Sequence, residues 1–137
     1  MAGVNDLGEL LATMRPAARP GEFVVVAVAA PDARAEATIR EDEGLAAVLR
    51  REDADADGIP YDFVAAWITL TVHSDLAAVG LTAAFSSALA AEGISCNVLA
   101  GFHHDHLLVP VERRDDALAA LDRLSRSAQD PPRTLGE

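Results

Sequence analysis

Three of the chain's four histidines fall in "GFHHDHLLVP", residues 101 to 110, around Asp105 and between two apolar runs. Imidazoles so dense can ligate zinc, carry a charge that changes near neutral pH, or set a hairpin by hydrogen bonding. His103, His104, His106 and Asp105 supply atom types that zinc accepts. No separate His or Cys cluster completes the set, however, and a single turn does not aim every ring inward. A hydrogen-bonded, structure-setting hairpin is the simpler reading, with ligand contact through His103 and His106 as the other. No metal is assigned. The fourth histidine, His73, closes the alternating run "AAWITLTVH" and is followed by Ser74 and Asp75.

Other reactive types carry less. From Asp53, "DADADGIPYDFV" has Asp at positions one, three and five and Gly at six, as a calcium loop does. Position twelve, where a bidentate Glu belongs, is Val64, and Pro60 interrupts the loop. Cys96, the only cysteine, lies among apolar residues and reads as a buried thiol. Without a Gly-rich phosphate loop, nucleophile elbow or paired-carboxylate motif, no catalytic residue and no cofactor is assigned.

The elements that position these residues follow from periodicity. Leu7, Leu10, Leu11 and Met14 have helical spacing behind Asn5 or Asp6 as a cap, and "RPAARPG" ends that helix. "EFVVVAVAA", "ARAEATIR" and "LAAVLR" read as strands, the last two joined by an "EDEG" turn, with a short polar helix "REDADAD" after them. A strand then carries Ile68, Leu70 and Val72 on one face and Trp67, Thr69, Thr71 and His73 on the other. The pattern next predicts a helix from about Asp75 to Glu92 stopped by Gly93, and a strand from Ile94 to Phe102. After the histidine turn come a strand from Leu107 to Val111 and a helix from about Arg113 to Ser127.

A two-residue turn at His104 and Asp105 would pair His103 with His106, Phe102 with Leu107 and Ala100 with Val109. Val98, Ala100, Phe102, Leu107, Val109 and Val111 would then face the helices. Asn97, Leu99, His103, His106 and Leu108 would share a helix-free face with Trp67 and His73. A face so mixed is rarely left bare, so it should meet another unit, a second chain or a ligand. Pro110, which cannot donate to a ladder, marks a bulge or an early end to pairing.

At 137 residues, half of them apolar, the chain can bury a sizeable core. Acidic residues outnumber basic ones 22 to 11, every basic residue is Arg, and the net charge is −11. Such a charge repels nucleic acid and anionic membranes, so neither is an expected partner. No apolar run approaches the ~20 residues of a membrane span, and the amino terminus lacks the pattern of a signal peptide. A cytoplasmic location is the expectation.

Shifting the chain by 62 residues lays "GLAAVLRREDADA" over "HLLVPVERRDDAL", matching Leu45 with Leu107, Arg51 with Arg113 and Asp53 with Asp115. Both copies occupy the same place in a strand, turn, strand, helix succession, which predicts two related units, 1–63 and 64–128, and a loose tail over 129–137. The second unit, β-α-β-β-α, is most of a ferredoxin-like α+β fold that lacks its final strand. The first lacks a full helix between its opening strands.

The stretches "TVHSDLAAVGLTAA", "GISCNV" and "FHHDHLLVPVE" together resemble an ACT domain, and with "REDEGLAAVL" and "DGIPYDFVAAWITL" nearly the whole chain resembles small bacterial proteins of tandem ACT-like units. The resemblance implies antiparallel sheets with helices on one face, and a regulatory, non-enzymatic role. It also implies a small ligand such as an amino acid at a unit or dimer interface, in a homodimer. Serine-binding ACT domains use a His and an Asn after the first strand and an Asn where the second opens. Here His73 matches, while Asp75 and Ser95 stand in place of the two Asn, with Asn97 two residues on. The implied ligand-binding set is His73, Ser74, Asp75, Ser95, Asn97, His103 and His106. Serine specificity is not inherited.

Overall fold

The computed structural model describes residues 6–72 and 75–129. Helix α1 (Leu7–Thr13) begins where the Asp6 carboxylate accepts the Glu9 N–H at 2.9 Å, and it buries Leu10. The strands are β1 (Pro16–Ala18), β2 (Phe23–Val28), β3 (Ala37–Glu41), β4 (Gly44–Arg50), β5 (Val64–Leu70), β6 (Asn97–Ala100) and β7 (Asp105–Pro110). Three further helices are α2 (Arg51–Ala56), α3 (Leu81–Ala91) and α4 (Arg114–Gln129), the last entered through a 3-10 turn at Val111–Arg113.

All seven strands join one antiparallel sheet in the order β3-β4-β2-β5-β7-β6, and β1 also pairs with β5. This answers how a ferredoxin-like unit without its final strand closes. The edge that such a strand would cover on β5 is taken by two segments of the amino-terminal half: Pro16–Ala18 opposite Ile68–Leu70, and Phe23–Val24 opposite Val64–Ala65. Reciprocally, β5 covers that edge of β2. The short β1, hidden in a stretch that reads as a helix breaker, becomes a strand because β5 presents unpaired backbone groups to it.

Register decides the faces. Val24 pairs with both Leu49 and Val64, so Val24, Val26, Ala47 and Leu49 lie on the face that carries Ala66, Ile68 and Leu70. Helix α2 covers the first group through Ala54, and α1, α3 and α4 cover the second through residues such as Leu10, Phe85 and Leu121. The helices of the described residues therefore share one face, as expected of the fold class. Helix α1 is stitched to α4, where the Ser125 hydroxyl accepts from Arg15 Nη1 at 2.8 Å and Gln129 Nε2 donates to the Ala12 carbonyl at 2.8 Å.

Four expectations need correction. Helix α3 starts at Leu81 rather than Asp75: Asp75 opens a turn of its own, and Gly80 adopts φ +101 as the helix cap. A Cβ on Gly80 would approach Leu7 Cδ2 at 2.9 Å, so α1 also needs the glycine there. Strand β6 spans Asn97–Ala100, shorter than expected. The hairpin tip lies at Phe102–His103 instead of His104–Asp105, with Val98 opposite Leu107 and Leu99 opposite His106. Gly101 explains that register, because its N–H donates to the His104 carbonyl at 2.9 Å and a Cβ would stand 2.8 Å from that oxygen and 2.9 Å from His106 Nε2. The shift is even in residue number, so the other residues keep their faces. Phe102, expected inward, is carried into the exposed tip. Pro110 ends β7 beyond the last rung of β6, where no donor is asked of it on that side.

No helix of the described residues is long and apolar enough to cross a membrane. Since α1 belongs to the core over β5, Leu10→Ala should lower the unfolding free energy of the whole chain by about 3 kcal/mol. Urea unfolding followed by circular dichroism should show that loss in one cooperative transition, not in an isolated amino-terminal phase.

Candidate functional site

The helix-free face is built from alternate residues of neighbouring strands. Phe23, Trp67 and His106 form a ladder across β2, β5 and β7, with ring centroids 5.4 Å and 5.3 Å apart. Arg19 lies over it, its guanidinium carbon 4.7 Å from the Trp67 ring centre and 5.2 Å from that of Phe23. Glu36 receives Arg19 Nη2 at 3.0 Å and stands 3.8 Å from Arg50 Nε, so the two arginines above the aromatic rings share one carboxylate. Arg19, Phe23 and Glu36 escaped the sequence reading. Only the pairing of β1 and β2 with β5 brings them to Trp67, and no motif in the chain announces that pairing.

His106 closes the ladder chemically. The Thr69 hydroxyl lies 2.9 Å from its Nδ1, and the Trp67 indole N–H reaches the same nitrogen at 3.3 Å. An indole N–H only donates, so Nδ1 accepts and the neutral ring carries its proton on Nε2. Burial holds the imidazole below its ordinary value, and His104 and Arg19 push the same way against the opposing Asp105. Burial raises the Asp105 carboxyl in turn, with His106 opposing. His104 donates from Nδ1 to the Val72 carbonyl at 3.3 Å, which ties the hairpin to the end of the strand that leads to His73. His103 sits in the tip with its ring edge-on to Phe102 at 4.9 Å.

Five of the seven expected ligand-binding residues are among the described residues. His73 and Ser74 lie outside the described residues. Asp75, three residues past Val72, is engaged by its own turn, where Oδ1 accepts the Ala77 N–H at 2.8 Å. Asn97 is level with Leu108 and Trp67, five residues before Val72, hence about 16 Å along the strand direction. Ser95 lies further out still, exposed like Asn97. His103 and His106 are parted by the register, one in the tip and the other opposite Leu99. Among the described residues no three His, Cys, Asp or Glu side chains converge as metal ligands. Burial raises the Cys96 thiol to about 11, which keeps it protonated at neutral pH.

Beyond the ladder the same face opens into a hollow of about 150 Å³, walled by β3 and β4 on one side and by β6 and β7 on the other. The curl of the sheet brings these two flanks face to face.

Family models for the ACT domain match residues 2–66 and 63–123 in succession. The chain belongs to the ACT-domain family, as two such units in tandem, and ACT domains are regulatory modules. Among solved structures, a protein of unknown function from Vibrio cholerae, described as a possible transport protein, is 43% identical over 87% of this chain and 95% of its own, with a TM-score of 0.79. The ligand-free regulatory subunit of aspartate kinase from Thermus thermophilus shares the fold at 12% identity, covering 83% of this chain and 97% of its own with a TM-score of 0.61. A protein from Agrobacterium tumefaciens is similar at 23% identity over 82% and 89%, with a TM-score of 0.59. No curated protein sequence matches the chain.

The lowered value of His106 sets a pH dependence. The unfolded chain takes up the proton near the ordinary 6.5 while the folded ring resists, so stability is lost as pH falls below that value, until the folded ring also titrates. Asp105 acts in the opposite sense, costing stability as pH rises above its ordinary 3.8, mostly at lower pH. Urea midpoints measured between pH 7 and pH 5 should fall for the natural protein and stay nearly level for His106→Gln.

Proposed function

We propose that this protein is a non-enzymatic ACT regulator of the cytoplasm, with units 1–63 and 64–128, that binds a small metabolite, an amino acid by its chemistry, where two copies meet. What supports the reading is the pair of ACT-domain matches in tandem, together with Asn97, which is exposed on β6. On this reading the set that the ACT resemblance implies works from two places in the sequence, Asp75 with His73 and Ser74 beside it, and Ser95 with Asn97. A ligand between two copies would be held by the Asp75 segment of one chain and the Asn97 strand of the other. Asp75 offers a carboxylate for an ammonium group, and Asn97 offers both a donor and an acceptor. Neighbouring regulatory subunits share the fold and support regulation rather than catalysis.

A second reading, an interaction module that docks through the helix-free face without ligand, is favoured by Val25 and Ile39, which stand 47% and 53% exposed on that face.

Thermal denaturation of the metal-chelated protein against the common amino acids separates the two. Binding should raise stability by about 2.7 kcal/mol at a ligand concentration a hundredfold above Kd, and the rise should disappear in His73→Ala. A flat panel, with a dimer that His73→Ala leaves intact, would favour docking without ligand.

A further inference from the structure

The hollow on the helix-free face is lined almost wholly by apolar side chains: Ile39, Ala46 and Val48 on one flank, Leu99 and Leu108 on the other. Its volume, about 150 Å³, is far below the roughly 300–1,000 Å³ that encloses an entire drug-sized ligand. It equals the size of an apolar protein cavity that takes up benzene, about 150 Å³. It has room for one bulky apolar side chain. The polar group in its wall is Asn97, whose exposed carboxamide makes no hydrogen bond to other described residues. Ser95, two residues earlier, is equally exposed and unbonded among them. An apolar socket with one unengaged amide in its wall suits a molecule that has a greasy side chain and a polar head.

We infer that the hollow between the two flanks of the sheet receives the side chain of a branched-aliphatic or aromatic amino acid, with Asn97 engaging its polar head. This rests on the amino-acid reading above and adds which amino acids. The charges near the socket agree with a neutral side chain. Arg19 and Arg50 stand over the aromatic ladder next to it but are already shared by Glu36, so no free charge awaits a charged side chain there.

The test uses the full chain and two variants. Ala46→Phe fills the hollow from its wall, and Ile39→Trp fills it from an exposed edge position where folding tolerates the change. L-leucine and L-phenylalanine should bind at least about tenfold tighter than glycine or L-aspartate by calorimetry, the ratio that burial of such a side chain supplies. Both variants should abolish that preference while circular dichroism and sedimentation match the natural protein. Asn97→Leu should weaken the amino acids yet spare benzene, whose own thermal upshift should vanish in Ala46→Phe.

Glycine or L-aspartate binding as well as L-leucine, unaffected by either filling variant, overturns the socket and leaves the amino-acid reading standing. If no amino acid binds, that reading fails and benzene decides the socket alone: a shift lost in Ala46→Phe upholds an apolar-group site, and no shift overturns it. A change of oligomeric state in Ile39→Trp without any ligand effect assigns the face to a second copy and overturns the proposal.

Discussion

Everything in this molecule hangs on the junction of β2 and β5. Phe23–Val24 and Val64–Ala65 form it, and with Pro16–Ala18 on the same edge of β5 it turns two incomplete units into one sheet. An inner strand with an unsatisfied edge would leave backbone donors and acceptors without partners, at a cost of one to a few kcal/mol each. Each unit resolves this for the other. Strand β5 stands where the first unit would need a further strand, and β1 with β2 stands where the second would. The arrangement sets every helix on one face and draws α1, first in the chain, into the core over the carboxyl-terminal half.

The opposite face divides into a filled part and an open part. Where β1, β2, β5 and β7 lie together, the chain covers itself with tilted, packed rings and a guanidinium, and a single carboxylate balances the two nearby arginines. Arg19 and Arg50 can sit over these rings because a guanidinium is weakly hydrated and stacks well on aromatic faces. His106 belongs to this filled part. Its role is to accept hydrogen bonds as a neutral ring, which accounts for one member of the conspicuous histidine cluster without a metal. Further along, the strands diverge and the sheet curls, so two apolar flanks confront each other across unfilled space.

The proposed site would link architecture to regulation. On that proposal the ligand is shared by groups of two chains. Binding that requires both chains must couple to their association. By linkage, such a ligand would shift the association equilibrium by its own differential affinity, which is the physical content of a regulatory module.

Much of the local structure was legible in the chain. Leu10 and Met14 in helical register, the alternation from Trp67 to Val72, and Gly93 ending α3 each express a backbone preference or a one-sided burial that neighbouring residues decide among themselves. Even the inward and outward faces of β6 and β7 survive an error in the turn, because an even shift preserves parity. The tertiary structure alone decided the rest. Gly101 sets the hairpin tip only because the His104 carbonyl and the His106 ring press against it. "RPAARPG" contains a strand only because β5 has an edge to offer. Arg19, Phe23 and Glu36 join Trp67 only when segments more than thirty residues apart align. Local sequence determines which way a side chain points, through periods of two and 3.6; which groups it meets depends on strand pairing, whose energy is spread over long-range contacts that leave no short pattern behind.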